Sequence, residues 1–201
     1  MYLIGNTLLT VCMVLILVVP VAISIAVFTG EYYHETRWAR LVNGVLFYMS
    51  AVPSVFWGMA GYFALQPTEW NPFAAALVLA IMIIPYASHL VSSCFDRIPY
   101  SLRESAYALG ADSTDVIFRI FLPSIKKGLW ASFGLALGKV LGETIIFVIF
   151  AGPTVGASLF GAFTDKDTPP ASPVYLLALF WFLFTAGINY LSKQLLNKAL
   201  V

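Results

Sequence analysis

The chain has 201 residues, of which 60% are hydrophobic and 10% charged, with a formal net charge of +1 and a mean hydropathy of +0.87. That balance leaves too few polar side chains to coat a water-soluble domain, so a soluble enzyme is excluded and a bilayer is the expected solvent. No nucleic-acid partner is expected.

Crossing a hydrocarbon core of roughly 30 Å takes about 20 helical residues. Five apolar stretches are long enough: 5–29, 41–65, 73–94, 129–151 and 174–191. The first exceeds a signal-peptide core and follows no basic segment, so it reads as a retained helix. Arg37 and Arg40 come after it. The second span carries Pro53, Gly58 and Gly61, breakers that membrane helices tolerate as kinks, and Ser54 beside Pro53 can offer its hydroxyl to a passing ligand. The 66–72 connection has no base. The third span contains Pro85 and His89 and ends at Cys94, which this topology places toward the opposite membrane face from Cys12, so no disulfide is expected between them.

Arg97, Arg103, Arg119, Lys126 and Lys127 all fall in the next connection, the 152–173 loop has only Lys166, and Lys193 and Lys198 follow the last span. Basic residues in short loops stay in the cytoplasm. The alternation therefore predicts an all-α polytopic membrane protein with five transmembrane helices, N-terminus outside and C-terminus inside, forming one domain over 1–201. The 163–173 loop, with Asp165, Lys166 and Asp167, reads first as solvated surface.

About 33 residues separate the third and fourth spans, more than a turn between adjacent helices needs. Glu104 to Leu109 is good helix-forming sequence, Gly110 can close that helix in a left-handed conformation, and Asp112 or Ser113 can cap a second helix running toward Leu122. In the second helix Val116, Ile117, Ile120 and Phe121 repeat at helical spacing and can pack on the membrane domain. In the first, Ala106, Ala108 and Leu109 make a small smooth surface with Arg103 and Glu104 at its rim, suited to a partner's groove.

The order here is Glu104, Ser105, Ala106, three residues, Gly110, nine residues, Ile120, then Leu122 and Pro123. It resembles the EAA loop of bacterial ABC importer permeases, with Ser105 the one departure. The resemblance implies a type I ABC importer permease fold in the bacterial cytoplasmic (inner) membrane, with a coupling loop over 96–127. In it, Arg103, Glu104, Ser105, Ala106, Leu109 and Gly110 would dock on one of two cytosolic ABC ATPase subunits. It further implies a homologous second permease, as a homo- or heterodimer, an external substrate-binding protein, which the 163–173 loop would contact in its second reading, and surrounding membrane lipid. The chain has no G-x-x-x-x-G-K-[ST] phosphate-binding loop. It is therefore expected to be no enzyme and to bind no cofactor, ATP and Mg being used by the partner ATPase.

In the fourth span Lys139 and Glu143 stand four apart, on one face of a continuous helix. Counting about 1.5 Å per residue from Trp130, they lie roughly 14 and 20 Å deep. A charge there costs on the order of 3 kcal/mol even on a lenient scale, so both should face protein or water and mark an ion pathway. Gly134, Gly138 and Gly142 form a small-xxx-small packing series beside them, expected as a seam at a subunit interface.

The segment ALGKVLGETIIFVIFAG over 136–152, with GNTLLTV near Gly5 and VPSVFWG from Val52, resembles phosphate-specific ABC permeases, especially the second of the two permease types. Gly142, Glu143 and Thr144 match that family's Gly-Glu-Thr, and Lys139 stands at its Arg. The resemblance implies that Lys139 and Glu143 serve phosphate passage, with Thr144 and Ser54 completing the candidate pathway. Lys lacks the bidentate fork of Arg, which leaves tungstate, molybdate or sulfate as alternative cargoes. An intramembrane enzyme on His89, Glu143 or Lys139 lacks nucleophile-base or metal-ligand spacing. A non-transporting interaction protein that kept only the docking loop would have no need of the buried charges. The family commonly has six helices where five are predicted here, which fits a compact member or part of a longer permease.

Overall fold

The computed structural model describes residues 2–32, 36–66, 69, 71–165 and 172–199, which form helices joined by turns, with no strand among them. Helix α1, Tyr2–Val27, continues into a π-helical turn, Phe28–Tyr32. Helix α2, Arg37–Ala51, starts at Thr36, whose hydroxyl accepts a hydrogen bond from the Ala39 amide at 3.3 Å.

The expected span 41–65 is not one straight helix. Pro53 has no amide hydrogen and forces Val52 into extended backbone, so α2 stops and α3, Ser54–Leu65, leaves at 97° to it. Helix α4, Pro72–Phe95, is capped by the Asn71 side chain, which accepts from the Phe73 and Ala74 amides, and Pro72 occupies the first-turn position that needs no donor.

Helix α4 is the central post. Its apolar stretch is 67% buried, against 6% for the last helix, α10, Ser172–Ala199. Ala75, Ala76, Leu79, Ile83 and Ala87 of α4 share one core with Val11, Val14, Val18 and Ala22 of α1, all almost fully enclosed. Small side chains there let the two helices approach closely.

The expected fourth span, 129–151, is also interrupted. Helix α8, Lys126–Leu141, ends; Glu143 and Thr144 are non-helical; and helical backbone resumes at Ile145 and passes into a π-helical turn, Phe147–Ala151. The break is satisfied locally. The Gly142 amide turns back onto the Gly138 and Lys139 carbonyls, and the Leu141 carbonyl accepts from Trp181 Nε1 at 3.1 Å. Thus Lys139 and Glu143 do not lie on one face of a continuous helix.

Among the described residues, three helices are singly long and apolar enough to cross a membrane, and the α2–α3 pair, bent by 97°, has the length and composition of a fourth only if its two halves form one broken span. The 152–173 loop contains a helix, α9, Val155–Thr164, capped by Thr154. Asp165 terminates α9; Lys166 and Asp167 lie outside the described residues.

The glycine seam is internal to the chain. A Cβ at Gly134 would collide with Ser192, and one at Gly138 with Asn189, both on α10. The seam at Gly134 and Gly138 therefore joins α8 to α10, and a Cβ at Gly142, at the helix break, would meet the Lys139 and Gly138 carbonyls.

Candidate functional site

The two broken spans meet. Ser54, the first residue after the Pro53 break, and Lys139 both lie close enough to Glu143 in the α8 break to act on its carboxyl group. Helix α3 then runs beside 145–151, with Gly58 against Ile145, Ile146 and Ile149, and Gly61 against Val78 and Phe150. A Cβ at Gly58 would meet only the movable end of the Ile149 side chain, whereas one at Gly61 would collide with Val78 of α4, so Gly61 sets how closely α3 is seated.

Lys139 occupies the last turn of α8, where the negative end of the helix dipole favours a cation. Its amino group stands 4.6 Å from the centroid of the Tyr86 ring on α4, a cation–π contact. Ser54, Lys139 and Glu143 are all partly exposed, so the cluster borders open space and is not sealed in the core. Thr144 opens elsewhere. It lines a cavity of about 310 Å³ with Gly142, Phe160 and Trp181, and the other three residues are not among its walls. Chemically, Lys139 offers a cationic donor and Glu143 an acceptor, suited to a small polar guest that carries both a charge and a proton.

The far end of this segment is fixed by α1. Asn6 Nδ2 donates to the Pro153 carbonyl and the Val155 amide donates to Thr7 Oγ1, both at 3.1 Å. Gly152, at φ +62°, turns the chain just before them in a conformation that L side chains rarely adopt.

In the cytosol-type loop, α5, Tyr100–Ala108, closes in a Schellman motif. The Ala111 amide donates to the Ala106 carbonyl and Gly110, at φ +84°, to the Tyr107 carbonyl. Asp112 Oδ1 then accepts from the Asp115 amide to start α6, Ser113–Asp115, which continues through a π-helical turn, Val116–Phe121, into α7, Leu122–Ser124. Val116, Ile117 and Phe121 are buried.

The six residues proposed for docking divide into two groups. Glu104, Ser105, Leu109 and Gly110 are exposed, Leu109 to 88%. Arg103 and Ala106 face inward. Arg103 pairs with Glu31 at 2.9 Å, donates to the Gly30 carbonyl at 3.2 Å and lies over the Phe121 ring at 5.1 Å. Glu31 also accepts from the Tyr107 hydroxyl. Burial first, then that hydrogen bond, raises the Tyr107 phenol above its usual range. The loop is thereby tied to the end of α1.

A sequence model of the family described as binding-protein-dependent transport system inner membrane component matches residues 19–199. This chain belongs to that family. It is a permease subunit of an ABC importer and a multi-pass protein of the bacterial inner membrane. The permease is 32% identical to the phosphate transport system permease protein PstC of Pasteurella multocida, over 96% of this chain and 73% of that one. It is 28% identical to the phosphate transport system permease protein PstA homolog of Mycoplasma pneumoniae, over 95% of this chain but 33% of that protein. The permease fold also matches the MetNI methionine ABC transporter in an inward-facing conformation, with a TM-score of 0.75 at 15% identity, covering 97% of this chain and 91% of that one.

Sequence reasoning missed four residues of the permease that the fold brings into play. Tyr86 carries Lys139, Trp181 caps the α8 break, and Glu31 and Tyr107 hold Arg103. Only Glu31 left a signal, since it and Glu35 are the sole acids before Glu69. The others look like ordinary aromatic residues of membrane helices.

Proposed function

We propose that this permease carries inorganic phosphate inward, along a route that passes Lys139 and Glu143. The observation that carries the proposal is the meeting of Glu143, Ser54 and Lys139 where two interrupted membrane helices touch. Interrupted helices are where membrane transporters place small charged ligands, because unwound backbone and polar side chains can face a cavity there. The permeases named for phosphate transport among its relatives support the same cargo.

At neutral pH phosphate is a mixture of mono- and dianion. Lys139 attracts the charge, and Glu143 accepts a hydrogen bond from the protonated oxygen that phosphate keeps and sulfate lacks. Attraction and rejection then come from adjacent residues. Thr144 stands at the edge of the route, facing α9.

The exposed face made by Glu104, Ser105, Leu109 and Gly110 docks on a cytosolic ATPase, which binds ATP and Mg. Arg103 and Ala106 anchor that face to the membrane domain. Two such ATPases, a second permease and an external binding protein complete the transporter.

The test is radiolabelled phosphate uptake in reconstituted vesicles. Removing a charge-assisted hydrogen bond costs about 1.5–3 kcal/mol, so Glu143→Gln and Lys139→Ala should each slow uptake roughly 10- to 100-fold. Unchanged uptake in both would sink the route. Competition by sulfate, molybdate or tungstate as strong as that by unlabelled phosphate would reassign the cargo.

A further inference from the structure

A polar recess of about 260 Å³ lies between α2 and α4, lined by Asn43 and Ser50 of α2 and by His89, Ser92 and the capping Asp96 of α4. Polar groups inside apolar spans are costly and collect along a ligand's path. Among the described residues, the side chains of Asn43, His89 and Ser92 make no hydrogen bond within the chain. Ser50 donates to the Phe47 carbonyl at 2.7 Å, which leaves its oxygen able to accept. The space is ample for a small hydrated ion.

Both walls lead back to the Lys139–Glu143 cluster. On one, the Pro53 break separates Ser50, at the recess, from Ser54, at Glu143. On the other, Pro85 and His89 line the recess while Tyr86, between them in sequence, holds the Lys139 amino group over its ring. In the other direction, Gly30 and Asp96 also wall a neighbouring recess of about 300 Å³ together with Tyr100 and Arg103 of the 96–127 loop. From Tyr86 to Asp96 the helix rises about 15 Å, half of a hydrocarbon core of roughly 30 Å. A file of polar groups thus joins the charged cluster to the loop.

We infer that this recess is a second, weaker station for the transported oxyanion, between the Lys139–Glu143 cluster and the 96–127 loop; the inference rests on the phosphate route proposed above. Asn43, Ser92 and the His89 imidazole, which keeps an N–H in either charge state, donate to the anion's oxygens, and Ser50 accepts from a protonated one. Among the described residues no Lys or Arg lines the recess, so neutral donors alone hold the anion. Asp96 is a like charge at the far end, and its repulsion keeps the station shallow. A conducting file needs such a site, with enough attraction to draw the ion off Lys139 and too little to retain it.

The experiment is thiol protection on the assembled transporter in vesicles. Ser50→Cys and Ser92→Cys are near-isosteric changes on the two walls; each is treated with a small neutral methanethiosulfonate and read by peptide mass spectrometry, which scores Cys12 and Cys94 separately. About 10 mM inorganic phosphate should slow modification at both positions roughly tenfold, as for a site of about millimolar affinity, and leave Lys193→Cys, exposed on α10 outside the recess, unchanged. Asp96→Asn should lower the protecting phosphate concentration about fivefold and slow uptake turnover by a similar factor, with Asp96→Glu matching the parent. Thiols that do not react, that react equally with and without phosphate, or a protecting concentration in Asp96→Asn no lower than the parent's, each overturn the inference. Unchanged uptake in Glu143→Gln and Lys139→Ala sinks the route above, whereas slowed uptake there with unprotected thiols sinks the recess alone.

Discussion

Arg103 of the coupling loop reaches Glu31 at the end of α1 at 2.9 Å, with the two side chains 18% and 4% exposed. A pair enclosed to that degree loses much of its hydration, and its geometry is bought back by the Gly30 carbonyl, the Tyr107 hydroxyl and the Phe121 ring. A displacement of α5 is therefore felt at once by α1, and α1 shares its core with α4.

Breaking that pair from one side should be costly and removing it whole should not. Glu31→Ala strands a buried guanidinium and is expected to destabilise the protein by about 3 kcal/mol, read as a lower melting temperature in scanning fluorimetry. Glu31→Leu combined with Arg103→Met should recover most of the loss. A double variant as unstable as the single one would mean that the ion pair is not the source of the effect.

Gly110 supplies a left-handed turn at φ +84° with open space around it. Gly110→Ala meets only backbone strain and should cost about 1 kcal/mol. Gly110→Pro also removes the amide that donates to Tyr107, and is expected to abolish co-purification of the ATPase while membrane insertion persists. Retained co-purification would count against the docking surface.

The α8–α10 seam gives a third expectation. Gly138→Ala drives a methyl group into Asn189 and should destabilise by about 1–3 kcal/mol, with Asn189→Gly restoring much of it in a double-mutant thermal-stability cycle. Additive losses would show that the two positions do not touch.

Trp181 donates the one side-chain hydrogen bond given to Leu141 at the α8 break. Trp181→Phe keeps the ring but leaves a buried carbonyl unpaired, costing about 1–3 kcal/mol. Phosphate uptake should fall with it, because Glu143 lies two residues beyond Leu141. Full uptake with lowered stability would separate the cap from the route.

Ser54 tests whether the meeting of the breaks matters for transport. Ser54→Ala removes the hydroxyl beside the Glu143 carboxyl group and should slow uptake roughly tenfold, with Ser54→Thr close to the parent. Equal uptake in all three proteins would leave Ser54 with a structural part alone.

Membrane residence, helical class and the left-handed glycine turn between the two short helices of the 96–127 loop were legible in the amino-acid order, because each is a local property. Apolar length sets a crossing, glycine after an alanine-rich helix sets a left-handed cap, and an EAA-type spacing needs only counting. What the order left open is where interrupted helices lie relative to one another. A proline or glycine announces that a helix can break, but whether it does depends on what satisfies the freed backbone groups. Here Trp181, forty residues from Leu141, stabilises one break, and α3 seated by Gly61 brings the other to it. Likewise Arg103 reads as an exposed rim residue until the fold places Glu31 beneath it, since burial of a charge depends on a partner that only tertiary structure supplies.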